Sequence, residues 1–200
     1  MVEGHKAWLV DLDGTLYSPT PLKLAMAAEL LLFGLPALGK IRAFREEHEE
    51  IREQEIDCLG DPFATQLHRT AKRLDCDANV LDKLVREWMV KRPCRWLPRL
   101  RNRGLLAEIS NYRQLGGKTA LVSDYPARAK LKALGASDLF DVVVANGEAD
   151  GPTQLKPSPV GFLAAAEGLG VAPEDCLVIG DRDDADGEAA RRAGMAFRKV

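Results

Sequence analysis

The chain is poor in the residues that build redox and zinc sites. Its 200 residues include four cysteines and three histidines, and no two cysteines form a C-x-x-C pair. That spacing argues against a zinc knuckle or a disulfide framework and fits a reducing compartment. Charge of one sign is scarce too: 28 Lys and Arg stand against 30 Asp and Glu, a net charge of −2. No basic field exists to hold nucleic acid, and none is expected as a partner. The first ten residues carry no signal-peptide core, so a cytoplasmic location is expected. Long apolar runs are also missing. The greasiest segment, PLKLAMAAELLLFGLPALGKI (21–41), is interrupted by Lys23, Glu29, Gly34 and Pro36. Its longest uncharged run, Leu30 to Gly39, is about half of what a bilayer span requires. No membrane span is expected, and the segment reads as a helix buried in the protein, with a membrane-surface helix as the alternative.

What is present is an alternation. Short β-rich runs stand at 7–12 (AWLVDL), 118–123 (KTALVS), 141–145 (DVVVA), 175–180 (DCLVIG) and 195–200 (MAFRKV). They lack polar alternation, as strands covered on both faces do. Helix signals lie between them. Pro126 and Gly135 bracket one helix, Ser158-Pro159 and Gly170 a second, and Asp186 is placed to N-cap a third that ends at Gly194. Strand–helix alternation of this kind predicts an α/β fold with a doubly wound parallel sheet. Residues 18–103 break the rhythm. They offer no strand and about four helical segments: 20–33, 40–57, one opened by Asp61-Pro62 and one opened by Asp77. The expected organisation is a core of residues 1–17 and 104–200 with an inserted α-helical cap, 18–103.

Ligands of open parallel sheets bind beyond the carboxyl ends of the strands. There the first run places Asp11 and Asp13, the second Ser123, the fourth Asp181, and the loop after the third leads to Lys156. Carboxylates, a hydroxyl and an ammonium converging on one rim suit phosphoryl transfer. Asp11, Asp181 and a backbone carbonyl are hard oxygen ligands for Mg²⁺. Lys156 would hold a phosphoryl oxygen and offset repulsion among the aspartates, and Ser123 with the N–H groups of its turn would bind another.

The stretches DLDGTL, LVSD, LKPSP and VIGDRDDAD resemble, in order, motifs one to four of the haloacid dehalogenase (HAD) superfamily. The resemblance covers residues 7–17 and about 104–200, and the helical stretch matches the position of that family's first type of cap. It implies Asp11 as a nucleophile that forms an aspartyl-phosphate, and Asp13 as general acid and then base. It also implies Mg²⁺ held by Asp11, the Asp13 carbonyl and Asp181. The family's dehalogenases lack the second aspartate, because a halide leaves unprotonated. Asp13 therefore favours a phosphatase acting on a small phosphorylated metabolite. A phosphomutase, a dehalogenase-type hydrolase and a non-enzymatic partner-binding protein are the alternatives, and the chain is expected as a monomer or a homodimer through the cap.

Two departures stand out. Tyr17-Ser18-Pro19 occupies the place where many capped phosphatases carry Asp-Ser. Asp124 follows Ser123, and its carboxylate must point away for this position to bind phosphate, through its N–H. Other polar residues read as structural: Asp186 as a helix cap and a group behind the metal ligands rather than a ligand itself, Asp183 and Asp184 as solvated, His48 as a structural or surface histidine, and Cys176 as packing. The basic run Lys91, Arg92, Arg95, Arg99, Arg101 and Arg103 reads as a solvated linker between cap and core, with a substrate-phosphate or anionic-partner patch as the alternative.

Overall fold

A computed structural model of the chain describes residues 4–56 and 58–200. Residues 1–3 of the expected core and Asp57, the end of the expected second helix, lie outside the described residues. The elements run β1 (Ala7–Val10), α1 (Pro19–Phe33), α2 (Leu35–Glu53), α3 (Pro62–Arg73), α4 (Ala78–Val85), α5 (Arg92–Cys94), α6 (Leu97–Leu100), α7 (Arg103–Gln114), β2 (Lys118–Ser123), α8 (Arg128–Leu134), β3 (Val142–Ala145), α9 (Val160–Leu169), β4 (Cys176–Gly180), α10 (Glu188–Arg192) and β5 (Ala196–Lys199). A π-helical stretch, Arg86–Lys91, joins α4 to α5.

The five strands form one parallel sheet in the order β3-β2-β1-β4-β5. Alternation along each strand divides the core into two layers. Trp8, Val10, Leu121 and Ile179 face Leu105, Ile109 and Tyr112 of α7 and Leu131 and Leu134 of α8. Ala7, Leu9, Ala120, Val122 and Val178 face Phe162, Ala165 and Leu169 of α9 and Ala189 of α10. With both faces covered, every strand position must be apolar, hence the uninterrupted β-rich runs. The chain builds β2 and β3 on one side of β1 and then crosses to β4 and β5 on the other. The crevice at their carboxyl ends opens where the order reverses.

Between β1 and β2 the described residues are helical. The insertion leaves and rejoins the sheet side by side: Ser18 N–H donates to Leu100 O (3.0 Å), and Asn102 N–H donates to Leu16 O (2.8 Å). Its core is formed by Phe44, Phe63, Leu67, Leu81 and Val85. Asp61 caps α3 through Ala64 N–H, and Asp77 caps α4 through Asn79 and Val80 N–H, as expected.

One expectation fails here and another holds in part. The greasy helix α1 is not buried: only Leu22 and Glu29 are, and Leu24, Leu31, Leu32 and Phe33 face outward. Its neighbours cover a single narrow stripe, too little to hide a helix apolar on several sides. The basic run is solvated at Lys91, Arg95, Arg99, Arg101 and Arg103, but Arg92 is half-buried. Arg92 (3.1 Å), Arg95 (3.4 Å) and the Trp96 indole (2.9 Å) all donate to the buried Glu29 carboxylate. An apolar-looking helix thus anchors itself through its one carboxylate.

Candidate active site

The carboxyl ends of β1, β2 and β4, the loop before α9 and the inner face of α2 enclose a cavity of about 100 Å³. Its lining brings together all six sequence-identified residues: Asp11, Asp13, Ser123, Asp124, Lys156 and Asp181.

Asp11 continues β1, its N–H bonded to Ile179 O of the neighbouring strand (2.9 Å). One carboxylate oxygen accepts from Thr15 Oγ1 (3.0 Å), the other from Lys156 Nζ (2.7 Å). Lys156 is buried and spends its remaining N–H groups on Asp186 Oδ1 (2.7 Å) and Val122 O (3.1 Å). The ammonium therefore neutralises the aspartates from beneath. Burial alone would strip its proton, but Asp11 and Asp186 hold it well above the usual lysine range. For Asp11 the balance goes the other way: burial pushes its carboxyl up to about 8 despite Lys156, with Asp186 adding to the rise. Asp181 is raised as well, by burial and then by Asp186.

Asp186 corrects the cap half of its sequence reading. It does not cap a helix but lies inside a π-helical turn, Asp183–Gly187, where its other oxygen accepts from Arg182 N–H (3.2 Å). Oxygens of Asp11, Asp181 and Asp186 lie within 4.8 Å of one another. Glycine makes this crowding possible. A Cβ on Gly14, whose φ is +106°, would strike the Asp181 carboxylate, and one on Gly180 would strike Asp186. Two buried carboxylates and the half-buried Asp181, with one ammonium among them, form a hard-oxygen set short of positive charge, which fits a small divalent cation.

The Asp13 carboxylate stands apart from that set. It accepts from Lys130 Nζ on α8 (2.6 and 2.9 Å) and from the Tyr17 hydroxyl. Although burial works against it, Lys130 and then Tyr17 keep Asp13 below the usual carboxylate range. Tyr17, the departure from the common motif, is thus a hydrogen-bond donor to Asp13. Ser123 Oγ accepts from Tyr125 N–H (3.2 Å), and the Asp124 carboxylate turns away to accept Lys156 N–H (3.3 Å).

α2 contributes the opposite wall, which the sequence reading missed. His48 is buried and stacks on Tyr125 with ring centroids 4.5 Å apart. Gln66 spends its amide N–H on Phe44 O (2.7 Å), so its Oε1 must accept from His48 Nδ1 (3.3 Å), which assigns the tautomer. Arg52 bridges insertion and core: Nε donates to Lys156 O (3.0 Å), Nη1 to Glu49 (2.7 Å) and Nη2 to Asp184 (3.3 Å). Asp184, exposed as expected, is also clasped by Arg182 (2.6 Å) and held down to about 2 by it. His48 and Arg52, four apart on a helix that also carries Ile41, Phe44 and Ile51 at helical spacing, were the available signal for this wall. Nothing local marks Lys130, which reaches Asp13 only through the packing of α8.

The chain matches the family of haloacid dehalogenase-like hydrolases over residues 5–194. It is 30% identical over 206 aligned positions to the glyceraldehyde 3-phosphate phosphatase of Methanopyrus kandleri, covering 98% of this chain and 83% of that one. A shorter match, 38% over 96 residues, joins 46% of this chain to the Bacillus subtilis protein YhcW, whose name carries a phosphatase designation. That match spans 41% of YhcW. Among solved structures, a HAD phosphatase from Thermococcus onnurineus superposes with a TM-score of 0.62 at 24% identity, covering 98% of this chain and 86% of that one; at this identity the likeness shows the fold. With the four motifs assembled on one sheet edge, these matches establish that the chain belongs to the haloacid dehalogenase-like hydrolases and is a hydrolase.

Proposed function

We propose that this hydrolase is a Mg²⁺-dependent phosphatase of small phosphomonoesters, with residues 18–103 acting as the cap that closes over the core site. The observation that carries the reading is Asp11: a carboxylate at the sheet's switch point, fixed by Thr15 and Lys156 at the edge of a carboxylate cluster. Asp11, Asp181 and the Asp13 carbonyl would hold Mg²⁺, with Asp186 close behind. The ion supplies charge neutralisation that lets a carboxylate approach a phosphate dianion.

Asp11 attacks phosphorus, and the P–O bond to the alcohol breaks as the Asp11 Oδ–P bond forms. Asp13 gives the departing alkoxide its proton. It then takes one from the water that attacks the aspartyl-phosphate, which releases phosphate and restores Asp11. Lys130 and Tyr17 stabilise the ionised Asp13 that the second half needs, and the proton it takes from water there is the one it gives to the next departing alkoxide. Ser123 Oγ and the N–H groups of its turn bind the phosphoryl oxygens, and Lys156 balances them. The small cavity suits a short phosphoester. Triose phosphates suit it, as the name of the Methanopyrus relative suggests.

The test is a panel of two- to six-carbon phosphomonoesters with Mg²⁺, read as phosphate release. Two- and three-carbon esters should be turned over best, and excess EDTA should abolish release. Full activity in EDTA, or no hydrolysis of any ester, would sink the reading. A phosphoenzyme that persists in water but discharges to an added sugar phosphate would redirect it to a mutase.

A further inference from the structure

The wall that α2 sets against the carboxylates brings His48, Glu49 and Arg52 to the cavity. Two of these side chains are spent on protein partners. Arg52 donates to Lys156 O, Glu49 and Asp184, and Glu49 accepts from Arg52 and, at 3.5 Å, from Arg182. His48 differs. The residue is 3% exposed, and among the described residues only its Nδ1 has a hydrogen-bond partner. Nε2, on the other side of the ring, is left for the cavity.

A chain of bonds running away from the cavity decides what Nε2 can do there. Gln66 of α3 is fully buried and does not line the cavity. Its amide N–H donates to Phe44 O (2.7 Å), and turning the amide round would set oxygen against oxygen. Gln66 Oε1 therefore faces His48 Nδ1 (3.3 Å) and must accept from it. Burial keeps the imidazole neutral against the nearby carboxylates of Asp124 and Glu49. A neutral ring with its proton on Nδ1 carries a lone pair on Nε2. Tyr125, which also lines the cavity, stacks on that ring with the planes 21° apart and holds it in place.

The wall thus offers a substrate one fixed acceptor. A carboxylate or a second phosphate there would set acceptor against acceptor, and an alkyl group would leave the lone pair bare. A hydroxyl satisfies it. We propose that His48 is a specificity-determining residue whose Nε2 accepts a hydrogen bond from a hydroxyl on the alcohol part of the substrate, so that the site selects hydroxylated phosphomonoesters over their deoxy counterparts. The inference rests on the phosphatase reading above and gives the cap wall a choice among short esters that size alone does not make.

The test compares glycerol 3-phosphate with propyl phosphate, which share a three-carbon chain and differ in their hydroxyls. The readout is the ratio of kcat/KM for the two esters with Mg²⁺, and comparing that ratio between proteins cancels the intrinsic difference in leaving group. His48→Phe keeps a ring against Tyr125 but has no acceptor, and its ratio should fall about tenfold below that of the wild type. His48→Gln can set an amide oxygen where Nε2 stands, and its ratio should fall by no more than about threefold. A purely structural histidine would change both esters alike, so an unchanged ratio in His48→Phe overturns the proposal. ¹⁵N–¹H correlation spectra of the wild type, which has three histidines, need no variant. The His48 proton should reside on Nδ1, and a proton on Nε2 overturns the proposal. Wild-type protein that hydrolyses no phosphoester overturns the phosphatase reading and the proposal with it, whereas hydrolysis with an unchanged ratio overturns the proposal alone.

Discussion

The sheet and the helical insertion assign the inside of the molecule to different kinds of residue. In the sheet, apolar side chains fill both layers, and the polar ones that go inside cluster at the strand ends: Asp11, Ser123, Lys156 and Asp186. In the insertion the usual sorting is partly inverted. α1 turns four large apolar residues to the surface, while α2 buries Glu47, His48 and Arg52. The difference follows from what each region packs against. The sheet supplies a wide apolar plane to every helix laid on it. The insertion must share its few apolar faces among short helices, and one of its faces looks onto a charged cavity. Burial of charge in α2 is tolerated because the core supplies partners, Lys156 O and Asp184 for Arg52.

Breaking the sheet's polar edge should have the largest effect. Asp11→Asn retains the shape but removes the nucleophile, so phosphate release should fall by on the order of 10⁴-fold or to background while the thermal midpoint holds. Activity surviving in a variant shown by mass spectrometry to be free of deamidation would exclude Asp11 as the attacking group.

Lys156→Met examines the stability of the same edge. It leaves Asp11 and Asp186 buried without their shared cation, at a cost of about 3–5 kcal/mol in urea unfolding. A cost below 1 kcal/mol would mean that water or relaxation already shields these carboxylates.

The insertion offers a matched pair. Phe44 is fully buried among Phe63, Leu67 and Leu81, so Phe44→Ala should cost about 3–5 kcal/mol. Leu32→Ala, on the exposed face, should cost no more than about 0.5 kcal/mol. Comparable losses at both positions would show that α1 is covered within one chain.

The smallest effect is titrational. Burial holds the His48 imidazole below its ordinary value, so the neutral form is the one that folds. As pH falls through the unfolded histidine's range near 6.5, the unfolded chain takes up a proton that the folded chain resists, and stability declines. His48→Gln lacks that proton uptake. The stability gap between wild type and variant should therefore narrow, or reverse, as pH falls from about 8 to about 5. A gap independent of pH would place His48 in solvent.

The core was legible because its physics is local. A strand buried on both faces must be continuously apolar, and a turn that presents a carboxylate beside a glycine has few ways to be written, so 7–12, 118–123 and 175–180 could be read within two residues of β1, β2 and β4. Asp11, Asp13, Ser123, Lys156 and Asp181 followed from position at strand ends. Composition cannot report which face of a helix finds a neighbour. α1 read as buried because it is greasy, yet only the packing of α2, α5 and α6 determined that a single stripe would be covered. Asp186 read as a cap from its place before a helical pattern, and only the π-turn and the absence of a Cβ at Gly180 brought it against Lys156. Lys130 and Arg52 lie 117 and 104 residues from the groups they bind, Asp13 and Lys156. Pairings at that separation are set by how α8 and α2 dock, and docking depends on the whole set of buried surfaces at once.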